Sequence, residues 1–203
     1  MYQQVKRGID CILALLGLLI LSPVFLAIML AIKLDSPGPI LFRQKRVGIH
    51  KTYFQILKFR TMRMDTPKDM PTHLLKDPAQ YITKVGKFLR KTSLDELPQL
   101  FNILKGDMSI VGPRPALWNQ DDLIAERDKY GANDIRPGLT GWAQINGRDE
   151  LEIPVKAAYD GEYVRKMNPA MDIRCFLGTF ISVLKADGVV EGGTGSIKQG
   201  EED

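Results

Sequence analysis

The sequence predicts an α+β protein, mainly helical, whose N-terminal helix enters a membrane and returns. Three observations carry this. Residues 11–32 hold no charge and are interrupted near their middle by Ser22-Pro23. Residues 81–91 place apolar and basic side chains on opposite helical faces, the pattern of an interfacial amphipathic helix or of an ordinary surface helix on a soluble core, and 175–184 is too short to span, so it reads as a core or interfacial helix. Short apolar stretches at 40–42 and 52–59 flank Gly48 and predict a small β-hairpin.

The apolar block is about 22 residues, or roughly 33 Å as a straight helix, enough to cross a bilayer core. A cleaved signal peptide fits poorly, because the block is too long and no small-x-small site follows. A simple span and a re-entrant hairpin remain. Pro23 removes a backbone donor and bends the helix, and the Ser22 hydroxyl can satisfy the carbonyl left over. Lys6 and Arg7 precede the block, and eight basic residues against Asp35 alone follow between Lys33 and Arg63. A span would send one basic flank outside, whereas a bent helix returns both to one side. Re-entry is the preferred reading.

Asp35-Ser-Pro-Gly-Pro39 is a stiff turn that starts the rest of the chain. Residues 64–78 hold three prolines and read as a loop. Residues 119–131 read as a solvated helix ending at Gly131. The Gly-rich end carries five acids against Lys198 from Asp187 onward and reads as a disordered tail. The basic segment calls for an anionic partner: a lipid surface, a phosphate or a nucleic acid. Cys11 lies in the apolar block, so a disulfide with Cys175 is not expected.

Three stretches can carry chemistry. In Ser93-Leu-Asp95-Glu96-Leu-Pro98, the acids either form a capping box with Ser93 or lie in a turn ahead of a helix begun at Pro98. Both arrangements set carboxylates beside free backbone N–H groups, where phosphate also binds. Arg114 sits between Pro113 and Pro115, a rigid mount for a guanidinium that can clamp phosphate or simply occupy a surface turn. The third stretch runs from Arg136 to Arg148. Its glycines allow close backbone approach, and its Trp142 can stack on a base, sit at a membrane interface or be part of a structural loop. No phosphate-loop or dinucleotide fingerprint occurs, nor an Asp-x-Asp pair. His50 and His73 are the only histidines, and they support no triad or zinc set.

Together these pieces resemble the bacterial sugar transferases, the small monotopic phosphoglycosyl transferases. The likeness runs from Lys6-Arg7-Gly-Ile-Asp10 to Met171-Asp-Ile-Arg174. It includes Ser22-Pro23, Pro37-Gly-Pro-Ile-Leu-Phe-Arg-Gln-Lys-Arg46, Lys58-Phe-Arg-Thr-Met62, Asp95-Glu96, Val111-Gly-Pro-Arg-Pro115, Pro137-Gly-Leu-Thr-Gly141 and Asp160-Gly-Glu-Tyr-Val164. Lys166-Met-Asn168 is a small departure. The resemblance implies the minimal catalytic form. Residues 1–34 would be the re-entrant helix, 35–187 a catalytic domain at the cytoplasmic face of the bacterial inner membrane, and 188–203 a flexible acidic tail.

The same resemblance implies transfer of a sugar-1-phosphate from a UDP-sugar to polyprenyl (undecaprenyl) phosphate, with release of UMP, as a first membrane step of glycoconjugate assembly. It implies Asp95 as nucleophile and Mg²⁺ contact, Glu96 as its helper by proton transfer or orientation, and Lys58, Arg60, Arg90, Arg114 and Arg148 as phosphate ligands. An anionic phospholipid membrane is the expected surface, no nucleic acid is expected, and a homodimer stays open. Two rivals remain: a membrane-anchored glycosyltransferase that releases UDP, and a non-enzymatic basic scaffold on anionic lipid.

Overall fold

The computed structural model describes residues 2–66, 78–147 and 151–185. The expected acidic tail, most of the proline-containing 64–78 loop, His73 and Arg148 lie outside the described residues. The chain is mainly helical with one antiparallel hairpin, as expected, and adds a short parallel strand pair.

Helix α1 (Tyr2–Ile20) and helix α2 (Ser22–Asp35) meet at a bend of 62°. The break has a local cause. Pro23 has no N–H to give the Leu19 carbonyl, and the Ser22 hydroxyl donates to that carbonyl instead, at 2.8 Å. The rungs on either side survive, Leu21 N to Gly17 O and Phe25 N to Leu21 O, both 2.9 Å. An interior proline costs about 3 kcal/mol, and the hydroxyl returns about 1 of it. Among the described residues no single helix is long and apolar enough to cross a membrane; only the bent pair together reaches that length and composition. Ile12, Leu19, Ile20, Leu26, Leu30 and Leu34 are between 60 and 79% exposed.

One stripe of α1 turns inward. Lys6, Asp10 and Ala14 recur every fourth residue and are buried. Lys6 Nζ pairs with Asp172 at 2.8 Å, and Asp10 accepts from Ser109 Oγ at 2.6 Å and Ile110 N at 3.2 Å. These charges, which read in the sequence as a flank of the apolar block, lock α1 onto the body of the protein.

Strands β1 (Leu41–Val47) and β2 (Tyr53–Phe59) form the hairpin, with Leu41 opposite Phe59 and Val47 opposite Tyr53. Helix α3 (Lys84–Thr92) is capped by Thr83, whose hydroxyl accepts from Gly86 N at 2.9 Å. Glycine is required at 86, because a Cβ would stand 2.0 Å from the Thr61 carbonyl oxygen. Helix α4 (Gln99–Lys105) ends at Gly106, whose φ of +99° closes the turn. Strand β3 (Ser109–Val111) pairs in parallel with β4 (Gly138–Thr140). Helices α5 (Asp121–Asp128), α6 (Trp142–Ile145), α7 (Ile153–Lys166) and α8 (Pro169–Lys185) complete the chain.

Two cores result. The larger gathers Ile103, Met108, Tyr163 and Cys175. The smaller joins Phe25, Ile28 and Ile32 of α2 to Phe59 and Leu89, with Leu94 and Leu97 against its edge. Helix α8 contributes Met171 and Cys175 to the core, while Ile173, Phe176, Leu177, Phe180 and Ile181 stay exposed. Helix α5 is less solvated than its sequence predicts, since Arg127 points inward and pairs with buried Asp160 at 2.6 Å.

Candidate active site

Helix α3 ends at Ser93 in the left-handed conformation, φ +56°. The chain then makes one 3-10 turn over Leu94–Glu96 before Pro98 and α4. Ser93 makes no side-chain cap, so the capping-box alternative fails. The other one holds, with Asp95 and Glu96 in a turn ahead of the helix. Leu94 and Leu97 flank the two acids and pack toward Phe25, Ile28 and Ile32 of α2. The acidic turn and α2 thus border one shared core.

Cations from three elements converge there. Lys58, on β2, donates to Glu96 Oε1 at 2.8 Å. Arg114 donates to the same oxygen at 2.9 Å. The backbone ahead of Arg114 is fixed by Gly112 N to Thr140 O and Gly138 N to Pro113 O, each 2.8 Å. Arg90, on the last turn of α3, is held by Thr61, whose hydroxyl accepts from Nε at 2.9 Å.

These surroundings drive the two carboxyls apart. Burial pushes Asp95 up, Glu96 pushes the same way, and Lys58, Arg90 and Arg114 pull down without cancelling the rise. Burial also works to raise Glu96, but Arg114 and Lys58 outweigh it and hold that carboxyl well below the usual carboxylate range. A pair separated in this way can divide its roles, one group fixed as an anion and the other able to react.

The structure brings Asp95, Glu96, Lys58, Arg90 and Arg114 together and leaves two sequence candidates elsewhere. Arg60 is 5% exposed and turns toward the 36–38 loop, donating to the Pro37 carbonyl and, at 2.8 and 2.9 Å, to the Ser36 carbonyl and hydroxyl. Its role there is to hold the turn that follows α2. Trp142 is buried, donates from its indole N–H to Glu162 at 2.8 Å and lies under the Arg174 guanidinium, so of its three readings the structural one applies. Thr61, which aims Arg90, was not legible in the sequence; only its place in Lys58-Phe-Arg-Thr-Met62 hinted at it.

A carboxylate pair ringed by cations, beside a core shared with a bent apolar helix pair, is an arrangement chemically suited to binding phosphate groups. The chain belongs to the bacterial sugar transferase family, whose model matches residues 1–186. It is 43% identical over 194 residues to the UDP-glucose:undecaprenyl-phosphate glucose-1-phosphate transferase of Escherichia coli (strain K12), covering 89% of this chain and 39% of that protein. It is 35% identical over 195 residues to the UDP-N-acetylgalactosamine-undecaprenyl-phosphate N-acetylgalactosaminephosphotransferase of Aeromonas hydrophila, covering 92% and 45%. The exopolysaccharide production protein ExoY of Sinorhizobium fredii is 36% identical, with 90% of this chain and 87% of ExoY covered. The chain thus spans less than half the length of the first two relatives and most of the third.

Proposed function

We propose that this chain transfers a sugar-1-phosphate from a UDP-sugar to undecaprenyl phosphate at the cytoplasmic face of the bacterial inner membrane, as an early step in building an exopolysaccharide or related glycoconjugate. The observation that carries the reading is the Asp95-Glu96 turn among Lys58, Arg90 and Arg114, bordering a core it shares with the second arm of the bent apolar pair. A phosphate at headgroup depth and a soluble nucleotide can both reach such a turn.

Asp95 is the nucleophile. One of its oxygens attacks the β-phosphorus, the bond to the bridging oxygen breaks, and UMP leaves with that oxygen. The phosphosugar stays on Asp95 as an acyl phosphate. An oxygen of undecaprenyl phosphate then attacks the same phosphorus, the Asp95–phosphorus bond breaks, and the carboxylate is restored. Two easier displacements replace one hard one. Both substrates are polyanions, and successive use of one basic site avoids holding them together. Lys58, Arg90 and Arg114 offset phosphoryl charge. Glu96 orients: in the free site Lys58 and Arg114 hold it as an anion rather than a proton carrier.

Mg²⁺ fits this site. Among the described residues no three His, Cys, Asp or Glu side chains converge on a point, so no all-protein cage exists. One carboxylate, Asp95, together with the oxygens of a bound diphosphate is the donor set Mg²⁺ usually takes. When bound, the ion neutralises charge on the diphosphate.

The decisive experiment measures nucleotide release from UDP-sugars and undecaprenyl phosphate. UMP is expected. UDP would favour a glycosyltransferase on a lipid-linked acceptor, and no release a basic scaffold. Asp95→Asn is expected to lower UMP release at least roughly a thousandfold while membrane association stays intact; robust turnover by that variant would end the covalent role. Re-entry has its own check. Single cysteines at Gln3 and at Lys45, in a chain whose Cys11 and Cys175 are replaced, are expected to react with an impermeant thiol reagent from the same side of sealed vesicles. Reaction from opposite sides would leave a simple span.

A further inference from the structure

Two carboxamides lie on one face of α4, three residues apart, and the fold treats them differently. Asn102 is 3% exposed and fully engaged: its amide donates to the Gln55 carbonyl at 2.8 Å and to Asp107 at 3.2 Å, and its oxygen accepts from Leu57 N at 2.9 Å. Those bonds stitch α4 to β2. Gln99 is 1% exposed, and among the described residues its Nε2 meets no acceptor. A buried donor without a partner costs about 1–3 kcal/mol. Apolar side chains of the same length were available at no such cost.

Gln99 stands three residues after Glu96. The backbone between them is helical throughout, with Leu97 N reaching Leu94 O, Leu100 N reaching Leu97 O and Phe101 N reaching Pro98 O. Residues three apart on such a run are surface neighbours, with Cβ atoms roughly 5–6 Å apart. Glu96 meanwhile relies on Lys58 and Arg114, both on one oxygen. Those are the side chains that an arriving diphosphate would draw toward itself. A carboxylate whose side chain is 13% exposed cannot lose both cations without a replacement donor.

We infer that Gln99 is a positioning residue whose amide Nε2 donates to the Glu96 carboxylate when a nucleoside diphosphate engages Lys58 and Arg114. The unmet donor of the free protein is a held position, filled in the bound state. Being neutral, the amide supports the carboxylate without competing with phosphate for the cations. The inference rests on the reading above only in taking the ligand as a nucleoside diphosphate.

Because the new bond persists from the bound state through the reaction, its loss weakens binding and leaves turnover nearly intact. The test compares the full chain with Gln99→Met, a side chain of similar shape lacking the amide. Three quantities are read: melting temperature without ligand, the rise in melting temperature as UDP and Mg²⁺ are titrated, and KM and kcat for UMP release. In Gln99→Met the unliganded melting temperature is expected to equal or exceed that of the parent. UDP affinity and KM are expected to worsen roughly tenfold or more, with kcat changed less than about threefold.

A lower unliganded melting temperature would mark the amide as structural and overturn the inference, whatever the affinity does. So would unchanged UDP affinity, or a parent protein that UDP does not stabilise. Gln99→Glu is a second probe. It keeps the length but sets an acceptor against Glu96, and should bind UDP more weakly still; parent-like affinity in that variant contradicts the hand-over. Failure of the transfer reading looks different. The parent would then release no UMP, while the UDP-induced shifts of parent and variant would still separate.

Discussion

Arg127–Asp160 and the Asp95-Glu96 turn are both carboxylate–cation clusters inside sequence motifs, yet they are built oppositely. Arg127 and Asp160 pair one to one, at 2.6 Å, with side chains only 4% and 1% exposed. Around Glu96, two cations from different elements share a single oxygen, and Lys58 and Arg114 remain 18% and 33% exposed. The first arrangement is closed and fixes α5 against α7. The second is part-open, and each cation has a route to solvent and so to a ligand. Burial pushes both Asp95 and Asp160 up, so a shifted carboxyl alone does not mark the working site. Geometry separates them: only the proposed site leaves its cations partly open to solvent.

The sharpest way to break this comparison is to remove one cation from each cluster. Arg127→Met leaves Asp160 buried and uncompensated, and is expected to cost about 3–5 kcal/mol, seen as a collapse of the melting temperature. Arg114→Met is expected to cost under about 1 kcal/mol, because Lys58 still serves the same Glu96 oxygen. Its effect falls instead on UDP affinity, roughly tenfold. Equal destabilisation by the two variants would erase the distinction between closed and exchangeable pairs.

A smaller effect sharpens it through pH. On the proposed mechanism Asp95 attacks only when ionised, so UMP release is expected to fall as pH drops through its raised value, with the acid limb above 3.8. Lys58 pulls that value down, so Lys58→Met should move the limb to higher pH; a limb that moves down or stays put contradicts the assignment. Stability carries opposite contributions from the two acids. Asp95 holds its proton more tightly folded than unfolded, so its contribution declines as pH rises from 3.8 through the raised value. Glu96 is depressed in the fold, so its contribution is present above 4.5 and lost as pH falls toward its lowered value.

Much of the site was legible because its signals are local. Proline placement offered a turn for Asp95 and Glu96 beside the capping-box alternative and stiffened the backbone around Arg114, and Ser22-Pro23 located the bend to the residue. The failures share one cause. Arg60, Trp142, Lys6, Asp10 and Arg127 all have side chains whose fate depends on what packs over them. Arg60 reads as a phosphate ligand in Lys58-Phe-Arg-Thr-Met62, but the carbonyls of the 36–38 loop claim it. Lys6 and Asp10 could have been recognised by their spacing with Ala14, which marks one inward stripe on an otherwise exposed helix. For Gln99 the sequence held no signal at all, since an unmet donor exists only relative to its surroundings.

By itself, the sequence determined where the backbone must bend, turn and stop, because proline, glycine and the periodicity of apolar residues act over a few positions. It also determined the kind of charge available to each segment. Tertiary structure alone decided which charges would be fixed and which exchangeable. That choice depends on dielectric and access, and both are set by contacts between residues far apart in the chain, such as Glu96 with Lys58 and Arg114, or Arg127 with Asp160.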